Sequence, residues 1–145
     1  MRAFPFAAAA ALVLFGLTSE AFATTIGPDA FGYTASDTQA QFDFEDISGT
    51  GTGMGFGDDD FGAAALGFTF NFYGVDYTTA FIGSNGYITF GSGSTDFSNE
   101  NLTGALSTDL PTIAVFWDDL DPTEAASDDV YFQTLGAVGS RRFIA

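Results

Sequence analysis

The sequence predicts an all-β protein, an antiparallel β-sandwich with long Gly/Asp-rich loops, and three observations lead to this fold class. Helical periodicity is hard to find after residue 24. Short runs of aromatic and β-branched residues recur instead, separated by Gly, Asn, Asp and Ser. The 18 Phe and five Tyr of the 145-residue chain supply the bulk for one core. Many short strands at this spacing are typical of a sandwich or a barrel.

The first residues of the chain have the pattern of an export signal. Arg2 supplies a positive start, and the apolar run Ala7–Leu17 is too short to span a bilayer. Residues 21–23 then give a small-x-small pattern for cleavage after Ala23. We therefore predict a signal peptide over residues 1–23 and a single β-sandwich domain over 24–145. No second long apolar run follows, so we expect no integral membrane segment in the mature chain.

Seven strands are predicted after the export signal. Alternation supports one of them most clearly, because Phe68, Phe70 and Phe72 share one face of their strand. The run Thr112–Trp117 is apolar on both faces, which favours a central strand. The predicted strands are Gln41–Ile47, Leu66–Tyr73, Tyr77–Gly83, Tyr87–Gly91, Thr112–Trp117, Val130–Thr134 and Arg142–Ala145.

The connections between these strands are informative as well. The pair Asn85-Gly86 lies between two strands and predicts a hairpin closed by a type I′ turn. The loops Ser48–Gly62 and Gly91–Pro111 are long, and loops of that length are usually functional or mobile. The chain ends inside the apolar run "RRFIA". We therefore expect a C-terminally truncated sequence that lacks its last strands.

The charge balance excludes several kinds of partner and chemistry. The chain has 19 acidic residues, three Arg, no His and no Cys, and its net charge is −16. Such a field repels nucleic acid and anionic lipid head groups, and it favours cations, basic proteins or neutral ligands. Without Cys, His or Lys there is no thiol nucleophile, Ser-His-Asp triad, Schiff base or usual zinc site. We expect that the protein is not an enzyme.

One group of carboxylates is a candidate calcium site. Asp118, Asp119 and Asp121 follow directly on a predicted strand, and Ca²⁺ is bound by several oxygens from a flexible loop. The helix-loop-helix calcium pattern fails, because Glu124 stands at position six and Val130 at position twelve. The alternative is that these residues only form a turn.

A second acidic group is a weaker candidate. Asp58 and Asp60 belong to "GFGDDDFG", a single Gly/Asp copy where calcium-binding repeats need several. A site shared with the Asp118 loop is one interpretation, and a solvated loop is the other. A glycosidase acid pair is left open, although Asp118 and Asp119 point to opposite faces of a strand and nothing selects a more distant partner.

The aromatic residues have two interpretations. Trp117 and several tyrosines would form a platform for stacking sugars if they were exposed in a row, whereas in a small all-β domain most aromatic residues belong to the core. The tyrosine hydroxyls tolerate water, so we expect the tyrosines to be the more exposed group. They are Tyr73, Tyr77, Tyr87 and Tyr131.

Four motifs in order resemble the nidogen-like (NIDO-type) extracellular β-module, in the version found in bacterial secreted and surface proteins. The chain has an aromatic strand at Phe70–Gly74 and "SNGYITFG" at Ser84–Gly91. It also has "AVFWDDLD" at Ala114–Asp121 and "VYFQ" at Val130–Gln133. The resemblance is strongest over residues 66–145.

The resemblance implies a non-catalytic module, secreted or at the cell surface, that serves adhesion or matrix contacts. Its partner would be an extracellular protein or glycan, and Ca²⁺ would stabilise it if the acidic loop binds the ion. The alternatives are a carbohydrate-binding module and a fragment of a secreted hydrolase.

Overall fold

The computed structural model describes residues 25–36, 44–100 and 110–145. The chain divides into two compact units, Met1–Gln41 and Phe42–Ala145. The predicted signal peptide lies outside the described residues, and the single domain over 24–145 stays a prediction.

The first unit contains a small antiparallel hairpin, β1 (Thr25–Ile26) and β2 (Ala35–Ser36). The loop between the two strands is closed by Asp29. Its carboxylate accepts the backbone N–H groups of Phe31 and Tyr33, both at 2.9 Å. An Asp that bonds the backbone two residues on is a common way to stabilise a turn.

The second unit is an antiparallel sandwich of two sheets, so the predicted fold class is confirmed. One sheet has the order β4-β5-β6-β7 and the other the order β3-β8-β9. Across the described ranges the chain forms no helix, and hence none long and apolar enough to cross a membrane. The strands are β3 (Thr52–Gly53), β4 (Phe61–Phe72), β5 (Val75–Gly83), β6 (Tyr87–Thr89), β7 (Thr112–Ala114), β8 (Tyr131–Leu135) and β9 (Arg142–Ile144).

The core lies between the two sheets. Ala64 and Ile82 of the four-stranded sheet form a buried cluster against which Phe132 and Phe143 of the other sheet pack. The hydroxyl of Thr134 on β8 donates a hydrogen bond to the Leu66 carbonyl on β4 at 2.9 Å. Full burial of an aliphatic or aromatic side chain contributes about 1.5–3 kcal/mol, so these contacts are the main force that joins the sheets.

The alternation predicted for β4 is confirmed. Phe68, Phe70 and Phe72 are half-buried, and the residues between them are exposed. The rings of Phe70 and Phe72 pack against Phe90, with centroid distances of 5.5 and 5.3 Å. The strand begins earlier than predicted, and its register against β5 shifts between Ala65 and Phe70, where Gly67 has a φ of 75°.

Two strand predictions are wrong. Thr112–Trp117 is not a central strand, because β7 ends at Ala114 and, among the described strands, pairs only with β6. Val115 and Phe116 are 82% and 66% exposed. Residues 44–47 form no strand, and residues 41–43 of that prediction lie outside the described ranges.

The prediction of a type I′ turn at Asn85-Gly86 is wrong, and the two positive φ angles of such a turn occur between β4 and β5 instead. Asn85 does not have a positive φ, so the Asn85-Gly86 turn cannot be of this type. Tyr73 and Gly74 have φ angles of 48° and 81° and form the two-residue connection between β4 and β5. The prediction of a hairpin between β5 and β6 is itself confirmed.

Candidate metal centre

The turn Ser84–Gly86 connects β5 to β6 at one end of the β-sandwich, and most of it is buried. The Asn85 side chain is 1% exposed, and Ser84 is also buried. Gly86 has a φ of 76°, and a Cβ at this position would overlap the carbonyl oxygen of Phe116. A glycine is therefore required here by both backbone conformation and space.

This turn holds the loop that carries Asp58, Asp59 and Asp60, which we call the first acidic loop. Ser84 and Asp60 form two hydrogen bonds. The Asp60 N–H donates to Ser84 Oγ at 3.0 Å, and the Ser84 N–H donates to the Asp60 carbonyl at 2.9 Å. Asn85 Nδ2 donates to Asp59 Oδ1 at 2.9 Å.

The same turn holds residues 118–121, which we call the second acidic loop. The Leu120 N–H donates to Asn85 Oδ1 at 2.8 Å, and the Asp118 N–H donates to the Asn85 carbonyl at 3.3 Å. The Phe116 N–H donates to the Gly86 carbonyl at 3.1 Å. One buried asparagine therefore connects two acidic loops that are far apart in the sequence.

Trp117 packs beneath the second acidic loop. Its indole lies 5.1 Å from the Tyr87 ring, and its Nε1–H donates to the Asp96 carbonyl at 3.3 Å. The Tyr87 hydroxyl donates to the Ser94 carbonyl at 2.9 Å, and burial raises the pKa of Tyr87. Tyr87 is 2% exposed, so the prediction that it is one of the exposed tyrosines is wrong.

The two loops bring the carboxylates of Asp58, Asp59 and Asp119 together; we call this group the acidic rim. Each residue offers one oxygen, and these oxygens lie within 4.8 Å of one another. Ca²⁺ binds oxygens at about 2.3–2.6 Å, so two ligands of one ion lie at most about 5 Å apart. The donor set, all oxygen, suits a hard cation such as Ca²⁺ rather than zinc.

The acidic rim is a site of electrostatic repulsion. Partial loss of hydration, together with the negative charges of Asp121, Asp59 and Asp119, raises the pKa of Asp58. Hydrogen bonds from Thr123 have the opposite effect and lower the pKa of Asp121. A bound cation would relieve the repulsion at Asp58 by favouring its charged form.

The structure separates the five residues predicted as metal ligands into two groups. Asp58 and Asp119 belong to the acidic rim. Asp60, Asp118 and Asp121 do not, and each accepts hydrogen bonds from backbone N–H groups within three residues of itself. Such bonds are typical of turns, which was the alternative given for Asp118 and Asp121, and the ligand role of all three residues stays a prediction.

Sequence reasoning missed Asp59 and Asn85. Asp59 is the middle residue of three aspartates, and only its φ of 52° and its bond to Asn85 distinguish it from its neighbours. The Asn-Gly pattern indicated a surface hairpin turn, so it gave no sign that the Asn85 side chain would join two distant loops.

The fold and the rim together define a class: an antiparallel β-sandwich module whose buried Ser-Asn-Gly turn supports an acidic rim. A protein-family model described as NIDO related matches residues 32–145, and the chain belongs to that family. The resemblance to a nidogen-like module is thereby confirmed and extends further towards the N-terminus than the motifs alone indicated. Domains of this family are typically extracellular. Neither the curated proteins nor the solved structures contain a significant match.

Proposed function

We propose that the chain is a non-catalytic extracellular module for adhesion or matrix contacts, and that Ca²⁺ bound at the acidic rim stabilises it. One observation carries the calcium part: the oxygens of Asp58, Asp59 and Asp119, from two separate loops, lie within 4.8 Å of one another. Family membership supports the extracellular part.

The position of the acidic rim suits weak calcium binding. Asp58 and Asp119 are exposed, so water and backbone oxygens can complete the six to eight ligands that Ca²⁺ takes. Three carboxylates in a chain of net charge −16 attract a divalent ion. Extracellular calcium modules have dissociation constants of about 10⁻⁴–10⁻³ M, and we expect this range.

Two features support the non-catalytic part. The sequence has no His, Cys or Lys, so the usual activated nucleophiles and their bases are missing from it. A glycosidase needs two carboxyl groups about 5 Å or more apart, one on either side of a sugar. Each carboxylate of the acidic rim has one oxygen within 4.8 Å of the others, and Asp58 and Asp119 are exposed, an arrangement that suits a shared ion.

The carbohydrate-binding alternative is less well supported. It requires a row of exposed aromatic rings, but Tyr87 and Trp117 are buried. Tyr77 is half-buried and stacks on Phe90 with a centroid distance of 4.9 Å. Of these aromatic residues Tyr73 is the exposed one, at the opposite end of β5 from the acidic rim.

Isothermal titration with CaCl₂ tests the calcium part. We expect one ion per chain and at least about tenfold weaker binding in Asp119→Asn, because a lost carboxylate ligand costs a charge-assisted contact. Asp76→Asn is the matched control, since Asp76 lies at the other end of the sheet and accepts a bond from Asn71. Equal weakening by both substitutions would show general charge screening and not a site.

Binding to arrays of glycans and matrix proteins, in calcium and in chelator, tests the contact role. We expect binding to a protein or glycan that weakens in chelator. A set of generic glycoside and ester substrates tests the absence of catalysis. Turnover that Asp119→Asn abolishes would contradict the proposal.

A further inference from the structure

We infer that Asn85 is the positioning residue of the acidic rim: its side-chain amide sets the distance between the two acidic loops. Asn85 is not among the carboxylates that would hold an ion, yet both polar atoms of its buried side chain are used between the loops. The structural role stands on these contacts alone. Its consequence for calcium rests on the proposed function.

The two ends of the amide act on different loops. Nδ2 donates to the Asp59 carboxylate at 2.9 Å, which is a charge-assisted bond, and Oδ1 accepts the Leu120 N–H at 2.8 Å. The amide is planar and nearly fully buried, so the loops cannot separate unless one of these bonds breaks inside the protein. A buried polar group left without a partner is costly. Among the described residues, every buried side-chain nitrogen and oxygen has a partner.

The negative charges of the two acidic loops repel each other, and the Asn85 amide holds the loops together against this repulsion. Asp58 and Asp59 face Asp119 across the acidic rim, and Asp121 also acts on Asp58. Like charges at this distance favour separated loops when no cation is bound. The Asn85 amide opposes that separation and keeps the carboxylates converged. A preorganised site binds its ligand more tightly, because less conformational entropy is lost when the ligand binds.

An exchange of donor and acceptor tests the structural role without any metal. The variants are Asn85→Asp, Asp59→Asn and the double variant that carries both, and urea unfolding is measured in chelator. Asn85→Asp removes the donor and buries a second charge against Asp59. We expect the unfolding equilibrium constant to rise about tenfold to a hundredfold. Asp59→Asn keeps an acceptor for the Asn85 amide, so it should change that constant less than about threefold.

The double variant separates positioning from mere packing. The new amide at position 59 can donate to the new carboxylate at position 85, which still accepts the Leu120 N–H. We expect the double variant to recover most of the stability that Asn85→Asp loses, which is a large coupling in a double-mutant cycle. If Asn85→Asp does not fold and the double variant does, the inference is equally supported. A double variant no more stable than Asn85→Asp overturns it.

Calcium titration tests the consequence for the acidic rim. Asn85→Ser has a side chain too short to reach both loops, and we expect at least about tenfold weaker Ca²⁺ binding in its folded fraction. Thr89→Val is the matched control, because Thr89 is equally buried and its hydroxyl donates to the Ser92 carbonyl at 2.6 Å, away from the loops. It should lose stability and keep the wild-type affinity.

The unfolding experiments test the role of Asn85, and the calcium titrations test the proposed calcium site, so one proposal can be overturned while the other is supported. If the wild-type chain binds no Ca²⁺ but the double variant recovers stability, the proposed function is overturned and the role of Asn85 in joining the loops is supported. If the wild-type chain binds Ca²⁺ and Asn85→Ser binds it equally well, the positioning role is overturned and the calcium site is supported.

Discussion

The two hairpin turns of the four-stranded sheet are built in opposite ways. Tyr73-Gly74, between β4 and β5, is exposed, and both residues have a positive φ. Ser84–Gly86, between β5 and β6, is largely buried, and only Gly86 has a positive φ. The first turn connects β4 directly to β5, whereas the second also holds the two acidic loops and Phe116, which follows β7.

This difference shows that the conformation of a hairpin turn is determined either by its own backbone angles or by its contacts with distant segments. A turn that only closes a hairpin is determined by local backbone angles, so substitutions there should have small, local effects. A turn whose side chain and backbone bond to distant segments is determined by tertiary contacts. Substitutions in Ser84–Gly86 should therefore also destabilise the two acidic loops that this turn holds.

The largest contrast is expected between two glycine substitutions. Gly86→Ala adds a Cβ at a φ of 76° against the Phe116 carbonyl, so we expect it to cost more than about 3 kcal/mol. Gly74→Ala, at a φ of 81° in the exposed turn, should cost about 1–2 kcal/mol. Urea unfolding in chelator measures both. Equal losses would remove the distinction between the turns.

The next effect is expected at the residues that follow β7. Trp117→Phe loses the indole N–H bond to the Asp96 carbonyl and part of the contact with Tyr87, so it should cost about 1–3 kcal/mol. Phe116→Ala changes an exposed side chain and should cost less than about 0.5 kcal/mol. Thermal unfolding compares the two variants. A larger loss for Phe116→Ala would mean that its ring is covered in solution.

A smaller effect is expected in the exposed turn. Tyr73→Asn places a residue that tolerates positive φ well at a φ of 48°, but it loses the edge contact with the Phe72 ring at 4.8 Å. The two effects oppose each other, and we expect a net change within about 0.5 kcal/mol. A stability loss as large as that of Gly86→Ala would show that this turn, too, has long-range partners.

The smallest effect is a pH dependence that comes from one carboxylate in each acidic loop. The pKa of Asp58 is raised above 3.8, so its ionisation destabilises the fold as the pH rises through that raised pKa. The pKa of Asp121 is lowered below 3.8, so its ionisation stabilises the fold. This stabilisation is lost as the pH falls through the lowered pKa. In chelator at neutral pH, Asp58→Asn should therefore raise the unfolding midpoint, and Asp121→Asn should lower it. Both differences should fade in acid. The same direction for both would contradict these assignments.

Local patterns predicted most of the strands, and contacts between distant residues brought the carboxylates of the acidic rim together. The period-two pattern of Phe68, Phe70 and Phe72 follows from chain geometry, so it was visible in the sequence. β7 ends at Ala114, and the Phe116 N–H then donates to the Gly86 carbonyl, a contact that no local pattern encodes. A site shared by the Asp58 loop and the Asp118 loop was one interpretation of the sequence, but Asp59 was identified as a member only after Asn85 was placed.

Calcium binding at the acidic rim is tested by the unfolding temperature of the protein in CaCl₂, MgCl₂ and chelator at one ionic strength. A fixed ionic strength separates binding from charge screening, which is large at a net charge of −16. We expect a higher midpoint in calcium than in magnesium or chelator, because an ion that binds only the folded state stabilises it. Asp119→Asn should remove this difference, and Asp76→Asn should keep it. Equal midpoints in all three solutions would contradict the calcium claim and leave Asp58, Asp59 and Asp119 as a solvated edge.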